Sequence, residues 1–347
     1  MKKCQWVSIL LLCLSLGAFA GDEAGKAYQA YLTAVETGNP QQIAETARLA
    51  YELGSKEYGK DSINTATLAL NLANQTRDHK AATRLLKPSL AVFKATYGND
   101  AVELLDLYLA LQQHSDGGNS SYYHNYARIS ERHYGKHSYN HGIMLMELAN
   151  AMTRNTPRQG RDYAQQALGL IARQAQGNTV QRAEAEFLNG IYAQGFNDPE
   201  QAIAHYEKVV ALFNVLDYSH PYALAAHSRL VPLLEKEGQS EAATTHCLAI
   251  GQMTPWREDV EATPLYRKEP RWPRSALKRR QEGSVILKLT IDDKGFVSGT
   301  DLVENRGSKL FIKETEKAVS QWRYAPRFED GQAVTAVTTV KIDFKLH

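Results

Sequence analysis

Few residues in this chain have types and spacings that could do chemistry. His124, His133, His137 and His141 fall close together. His137 and His141 are four apart, so on one helix they would share a face and could offer two imidazoles to a divalent cation. No acid or thiol completes that set, and ordinary helix packing accounts for the same residues. A metal-dependent enzyme is therefore kept only as the third alternative. No Gly-rich phosphate loop, nucleophile elbow or His-Glu-x-x-His motif occurs anywhere. The expectation is a protein without catalytic residues, cofactor or metal. Tyr122, Tyr123 and Tyr126 could anchor a peptide at low entropic cost, or could simply pack between helices, which is the simpler reading. The basic run Lys278-Arg279-Arg280 suits either an anionic contact, with peptidoglycan or the chain's own acidic residues, or a solvated helix face.

The elements that must position such residues begin after an address segment. Lys2 and Lys3 precede an apolar run, Val7 to Leu16, and Ala18-Phe19-Ala20 offers the small-x-small pattern of a secretory signal. The 14 apolar-rich residues from Val7 to Ala20 fall short of the about 20 that span a bilayer. Cleavage before Gly21 is expected, with no transmembrane segment left after processing and a periplasmic destination. Leu12 sits where lipoprotein processing before Cys13 would want a small residue. Cys4 and Cys13 would leave with the signal, so Cys247 is expected as a lone, buried structural thiol.

The whole chain has 347 residues, 43% hydrophobic and 22% charged, with 40 Lys+Arg against 38 Asp+Glu. That describes two or three folded domains and excludes a disordered or uniformly basic protein. Charge is divided, however. Residues 264–347 hold 17 Lys+Arg and 11 Asp+Glu, whereas residues 21–263 hold 21 and 27. The expected compartment excludes a nucleic-acid partner.

Residues 21–253 repeat themselves. Tyr58-Gly59, Tyr97-Gly98, Tyr134-Gly135, Gln176-Gly177 and Asp217-Tyr218 recur at spacings of 39, 37, 42 and 42. Asp61, Asn99, Thr179 and Ser219 follow them as candidate N-caps. Asn39-Pro40, Thr156-Pro157 and Asp198-Pro199 mark a second helix start within the units. Glycine in the punctuators suits a left-handed helix end. The period and two helices per unit predict an α-solenoid of stacked helix pairs. Phe187-Leu188-x-Gly190-Ile191-Tyr192, Ala202 and Tyr206 resemble a tetratricopeptide repeat, and the 42-residue spacing resembles its kinesin-light-chain variety. A linker with one proline and three acids is expected over 254–263.

Past that linker the apolar period changes. Val285, Leu287, Leu289 and Ile291 alternate as a half-buried strand, Asp292-Asp293-Lys294-Gly295 turns, and Val297 to Val303 returns. Phe311, Thr315, Ala318 and Trp322 share a helix face. Asp330-Gly331 turns again, and a last strand places Val334, Ala336, Thr338, Val340, Ile342 and Phe344 on one face, with Val337 as the outward apolar exception. The prediction for 264–347 is a small α+β domain.

Pro270-Arg271-Trp272-Pro273, Glu282-Gly283-Ser284-Val285, Asp293-Lys294-Gly295-Phe296-Val297 and Glu304-Asn305-Arg306-Gly307 follow in order. Trp322-Arg323-Tyr324-Ala325-Pro326, Asp330-Gly331 and Phe344-Lys345-Leu346 complete the set. Together they resemble the TonB C-terminal domain over about 80 residues, with Trp272 where that family usually has Tyr. The resemblance implies a periplasmic adaptor that grips an extended segment, such as the TonB box of an outer-membrane receptor, by strand addition. Carried over by position, the edge is Thr335 to Phe344, with Thr335, Val337, Thr339, Lys341 and Asp343 presented to a partner. Glu269, Pro270, Arg271, Trp272 and Pro273 are expected beside it. Lys341 and Lys345 serve equally as edge protection. The chain departs from the family's energy transducers, which keep an N-terminal membrane helix and a proline-rich spacer. The alternative is a transducer whose N-terminus stays as an inner-membrane anchor.

Overall fold

The computed structural model describes residues 22–115, 120–173, 180–214, 220–254 and 262–346. The signal-peptide residues, the Gln176-Gly177 and Asp217-Tyr218 punctuators, the caps Thr179 and Ser219, and residues 255–261 of the expected linker lie outside these. The chain divides into two compact units, Met1–Ala175 and Gln176–His347.

The first unit contains four antiparallel helix pairs: α1 (Glu23–Thr37) with α2 (Pro40–Glu57), α3 (Ile63–Gln75) with α4 (His79–Tyr97), α5 (Leu105–His114) with α6 (Ser120–Tyr134), and α7 (Tyr139–Met152) with α8 (Pro157–Arg173). Local chemistry sets the boundaries. Asn39 Oδ1 accepts from Gln41 N at 3.1 Å, with Pro40 in the first turn. Gly59, Gly98 and Gly135 hold φ of 80°, 93° and 87°, the left-handed conformation that ends a helix cheaply only at glycine. Two expected caps are displaced. Ser62, one residue nearer the apolar turn than Asp61, accepts from Thr65 N at 3.1 Å. After Asn99 the chain enters a 3₁₀ turn, Val102–Leu104, that runs directly into α5, so no side chain caps there.

Tyr123 and Tyr126 are buried in the core of this unit, and Tyr122 packs against Tyr108 with ring centroids 6.5 Å apart. Inter-helix packing is thus what these tyrosines do. In the fourth pair, a Cβ on Gly142 would come within 2.9 Å of Leu170, so glycine lets α7 and α8 cross closely.

The second unit opens with two more pairs, α9 (Val180–Gly195) with α10 (Pro199–Phe213) and α11 (Pro221–Lys236) with α12 (Ser240–Met253). Asp198 caps α10 by accepting from Gln201 N, as its position before Pro199 predicts. Gly190 lies where a Cβ would sit 2.7 Å from the Tyr206 ring, which explains the small residue in that tetratricopeptide-like stretch.

The same unit carries the α+β module. It comprises α13 (Arg274–Lys278), β1 (Gly283–Ile291), β2 (Val297–Arg306), α14 (Leu310–Val319), β3 (Arg327–Glu329), β4 (Gln332–Val334) and β5 (Ala336–Phe344). The main sheet is antiparallel in the order β2-β1-β5. Val285, Leu287, Leu289 and Ile291 of β1 are fully buried against Phe311 and Val319 of α14, with Trp322 just beyond the helix. A short β3–β4 hairpin, too brief to show a period in the sequence, precedes the last strand. Asp330 and Gly331 form its two-residue turn with φ of 50° and 78°, as a tight hairpin requires.

This module is seated on α11–α12. Gly251 of α12 admits Phe328 of β3, since a Cβ there would lie 2.9 Å from the ring. Val231, Cys247 and Ile250 pack with Leu265, Tyr266 and Ala325. Cys247 is wholly buried, and burial raises its thiol pKa to about 11, so it is a structural residue. At the centre lies Arg323, 1% exposed and ion-paired with Glu235 of α11. It donates to Ser240 Oγ at 3.2 Å, Thr244 Oγ1 at 2.8 Å and Lys294 O at 3.2 Å, and its guanidinium lies 3.6 Å over the Phe296 ring. Ser240 in turn donates to Glu235 at 2.7 Å. The rhythm of helix pairs therefore ends against a folded module rather than in solvent.

Removing Glu235 would strand a buried guanidinium, which costs about 3–5 kcal/mol. Glu235→Gln should lower the denaturation midpoint of the second unit accordingly, and Arg323→Met with Glu235→Met should recover much of the loss. A change below about 0.5 kcal/mol in the single variant would mean that the pair does not hold the seat.

His227 of α11 and His246 of α12 meet Nδ1 to Nδ1 at 2.8 Å, so one donates and the other accepts. Burial, with His246 adding to it, lowers the His227 pKa to about 4, and burial lowers His246 as well. Below pH 6.5 the unfolded chain takes up protons that the folded pair refuses, so stability falls as pH falls. Between pH 6.5 and 5 the loss should be about 1–2 kcal/mol. Denaturant titrations across that range check this, and His227→Gln should flatten the dependence.

Candidate partner-binding site

The last strand, β5, forms one edge of the main sheet. It pairs with β1 along its whole length, from Gly283↔Phe344 to Ile291↔Ala336, and among the described residues no strand pairs with its other side. An unpaired strand presents backbone donors and acceptors at intervals that match another extended chain. The period-two alternation buries Ala336, Thr338, Val340, Ile342 and Phe344 and turns Val337, Thr339, Lys341 and Asp343 outward. Val337 is 51% exposed, an apolar side chain left in solvent on the outer face. Lys341 Nζ lies 3.2 Å from Asp343 Oδ1 on that face. Thr335 is exposed just before the strand begins, between β4 and β5.

The segment ahead of α13 reaches β5 at one end. Leu265 N donates to Arg323 O at 2.7 Å, and Trp322 Nε1 donates to Lys268 O at 2.8 Å, which tie the segment to the end of α14. Glu269 pairs with Arg267 at 3.0 Å, and Arg271 is exposed. Pro270 is half-buried, and Pro273 precedes α13. Trp272 stands edge-on to Phe344 with centroids 5.6 Å apart and to Phe311 at 6.0 Å. The meeting point is thus Phe344, whereas Val337 lies about 23 Å away along the strand. Trp272 Nε1 is buried without an acceptor, a donor whose desolvation costs about 1–3 kcal/mol until something satisfies it.

The sheet has a second open edge that the sequence pattern did not single out. Leu302 and Val303 of β2 are 48% and 59% exposed, near a register shift between Ile286 and Leu287. Two successive apolar residues in an otherwise polar strand were the available signal. Lys278, Arg279 and Arg280 are exposed at the end of α13.

The histidines do not form the arrangement that their spacing allowed. Ser138 caps α7 and the helix begins at Tyr139, so His137 lies in the preceding turn and shares no helix face with His141. His141 is buried, its Nδ1 2.8 Å from Ser130 Oγ. Among the described residues no three His, Cys, Asp or Glu side chains converge as a metal site requires. Burial raises Asp106 of α5 to about 6, with Glu147 of α7 adding to it. No helix among the described residues is long and apolar enough to cross a membrane.

Residues 268–346 match the family described as Gram-negative bacterial TonB protein C-terminal. The chain is 32% identical over 88 residues to "Protein TonB" of Pseudomonas aeruginosa, covering 25% of this chain and 26% of that protein. Over 78 residues it is 32% identical to "Protein TonB" of Vibrio cholerae, covering 22% of this chain and 32% of that one. The chain thus spans about a quarter to a third of the length of these relatives. Among solved structures, BtubC from P. vanneervenii aligns at a TM-score of 0.39 and 15% identity, covering 74% of this chain and 99% of its own. A putative kinesin light chain with TPR-like repeats from Podospora anserina aligns at 0.36 and 15%, covering 66% and 93%. The paired-helix architecture rests on the helix contacts described above. Residues 268–346 belong to the TonB C-terminal domain family, and in this chain they follow an array of helix pairs.

Proposed function

We propose that this protein is a non-enzymatic adaptor of the cell envelope, exported by residues 1–20, in which the helix pairs recruit one protein partner and the C-terminal domain grips another. The second partner is an extended segment, such as the TonB box of an outer-membrane receptor, added as a strand to β5. Thr335, Val337, Thr339, Lys341 and Asp343 flank that edge, and Glu269, Pro270, Arg271, Trp272 and Pro273 close its Phe344 end. The observation that carries the reading is the unpaired outer side of β5. Main-chain bonds along such an edge supply affinity and alternate side chains supply selectivity. Exposed Val337 offers an apolar contact to one of those side chains, and the orphaned Trp272 Nε1 offers a donor to an arriving carbonyl if the ring shifts. The basic residues Lys278, Arg279 and Arg280 are the candidate contact for peptidoglycan.

A synthetic receptor-box peptide should perturb the amide resonances of Thr335 to Phe344 in the full chain, and Val337→Asp should weaken that binding about tenfold, a loss of about 1.4 kcal/mol. Absence of any perturbation with a panel of box peptides sinks the strand-addition reading.

Export is tested separately by N-terminal sequencing of protein taken from a Gram-negative host. A start at Gly21 is expected. A retained Met1 in the membrane fraction would favour the anchored transducer instead.

A further inference from the structure

The near balance of charge in the helix pairs conceals one basic block. Residues 120–173, which hold α6, α7 and α8, carry 7 Lys+Arg against 3 Asp+Glu. The remainder of residues 21–263 carries 14 against 24. Part of this basic block lines a cleft of about 610 Å³ between α6 and α8, floored by α7, a volume within the range of ligand sites.

The cleft has a cationic wall on one side and a mixed wall, with Tyr163 and Gln166 of α8, on the other. Arg128 and Arg132 stand on α6 one turn apart, and Lys136 follows in the turn beyond it. Leu145 of α7 and Tyr163 of α8 line the space opposite. Two carboxylates answer the wall in part. Glu131 also lines the cleft, and Asp100 holds Arg128 at 2.6 Å and pairs with Arg132. A single carboxylate shared by two guanidiniums leaves further N–H donors on both. Asp100 fixes the pair in place, its own pKa lowered chiefly by the Arg128 hydrogen bond. Asp100 thus ties two of the three cations of a solvent-exposed wall.

We propose that this cleft binds an acidic, extended peptide segment of a protein partner. The inference rests on the reading that the helix pairs recruit such a partner and names where and by what chemistry. Side chains four apart on a helix are about 6 Å apart along its axis. Alternate side chains of an extended chain repeat at about 6.6–6.8 Å. Carboxylates at alternate positions of a strand therefore match Arg128 and Arg132 in step, while the intervening side chains face Tyr163 and Gln166. A lone inorganic anion would satisfy the cationic wall and leave the α8 side of the cleft unused. Within the first unit the remaining residues, 21–119, hold 9 Lys+Arg and 12 Asp+Glu, so residues 120–173 are its basic part.

The test uses the full chain and a fluorescein-labelled peptide of sequence Glu-Ala-Glu-Tyr-Glu-Ala, followed by anisotropy. Saturable binding is expected, weakened at least tenfold when Gln replaces Glu in the peptide and several-fold on raising salt. Arg132→Glu with Lys136→Glu should also weaken it at least tenfold. Arg132→Gln with Lys136→Gln, which adds no repulsion to Asp100, should act in the same direction with an unchanged melting profile. The proposal is overturned by three results: no saturable binding at low salt, equal binding by the charge-reversed chain, or full competition by inorganic phosphate or an anionic muropeptide. Envelope pull-downs separate it from the reading beneath it. Partner capture that survives charge reversal removes the cleft but leaves recruitment standing. A failure of the wild-type helix pairs to capture any partner removes recruitment itself.

Discussion

A guanidinium with 1% of its surface exposed must have its lost hydration replaced, and the two terminal nitrogens of Arg323 find partners on two elements at once, while its Nε is buried without one. It belongs to the TonB-type module, in the stretch Trp322-Arg323-Tyr324, yet Glu235, Ser240 and Thr244 come from α11 and α12. Phe296 and Lys294 O complete the enclosure from the β1–β2 turn. Separating the module from the helix pair would leave Arg323 and Glu235 in need of water. The seat is consequently a matter of electrostatic necessity as much as of apolar contact. The main chain of Arg323 also bonds Leu265 and Tyr266, so the same residue fixes the strand of chain that leads towards Trp272.

Small residues let this seat form. Gly295 has φ of 83°, and a Cβ there would come within 2.1 Å of Tyr324 O, so the β1–β2 turn closes on the residue after Arg323 only because it is glycine. Gly251 does the same for β3 on α12.

Much of the module was legible because its patterns are local. Strict alternation in Val285, Leu287, Leu289 and Ile291 and in Ala336 to Phe344 could belong only to strands with one buried face. The i, i+4, i+7 spacing of Phe311, Thr315 and Ala318 identified the helix covering them. The helix-pair rhythm was legible for a similar reason, since Pro after a cap and Gly at a helix end act within a few residues. What escaped was whatever needed two distant stretches to meet. The β3–β4 hairpin has strands too short to show a period, and the displaced cap at Ser62 differs from Asp61 by a single position. The His227–His246 pair and the Arg128–Asp100–Arg132 cluster join residues separated by 19 and by up to 32 positions.

The sequence by itself determined the types of element, their order, and the family of the last domain, because these follow from periodicity, caps and short motifs that do not depend on distant contacts. It also determined that four closely spaced histidines were candidates for metal, without deciding the matter. Tertiary structure separated two of them: the cap at Ser138 starts the helix after His137, and His141 is turned to Ser130. Tertiary structure alone decided that Arg323 is a joint between helix pair and module. A charged residue in a strand-rich motif looks the same in sequence whether it meets water or a half-buried glutamate 88 positions away, and only the folded chain brings that glutamate to it.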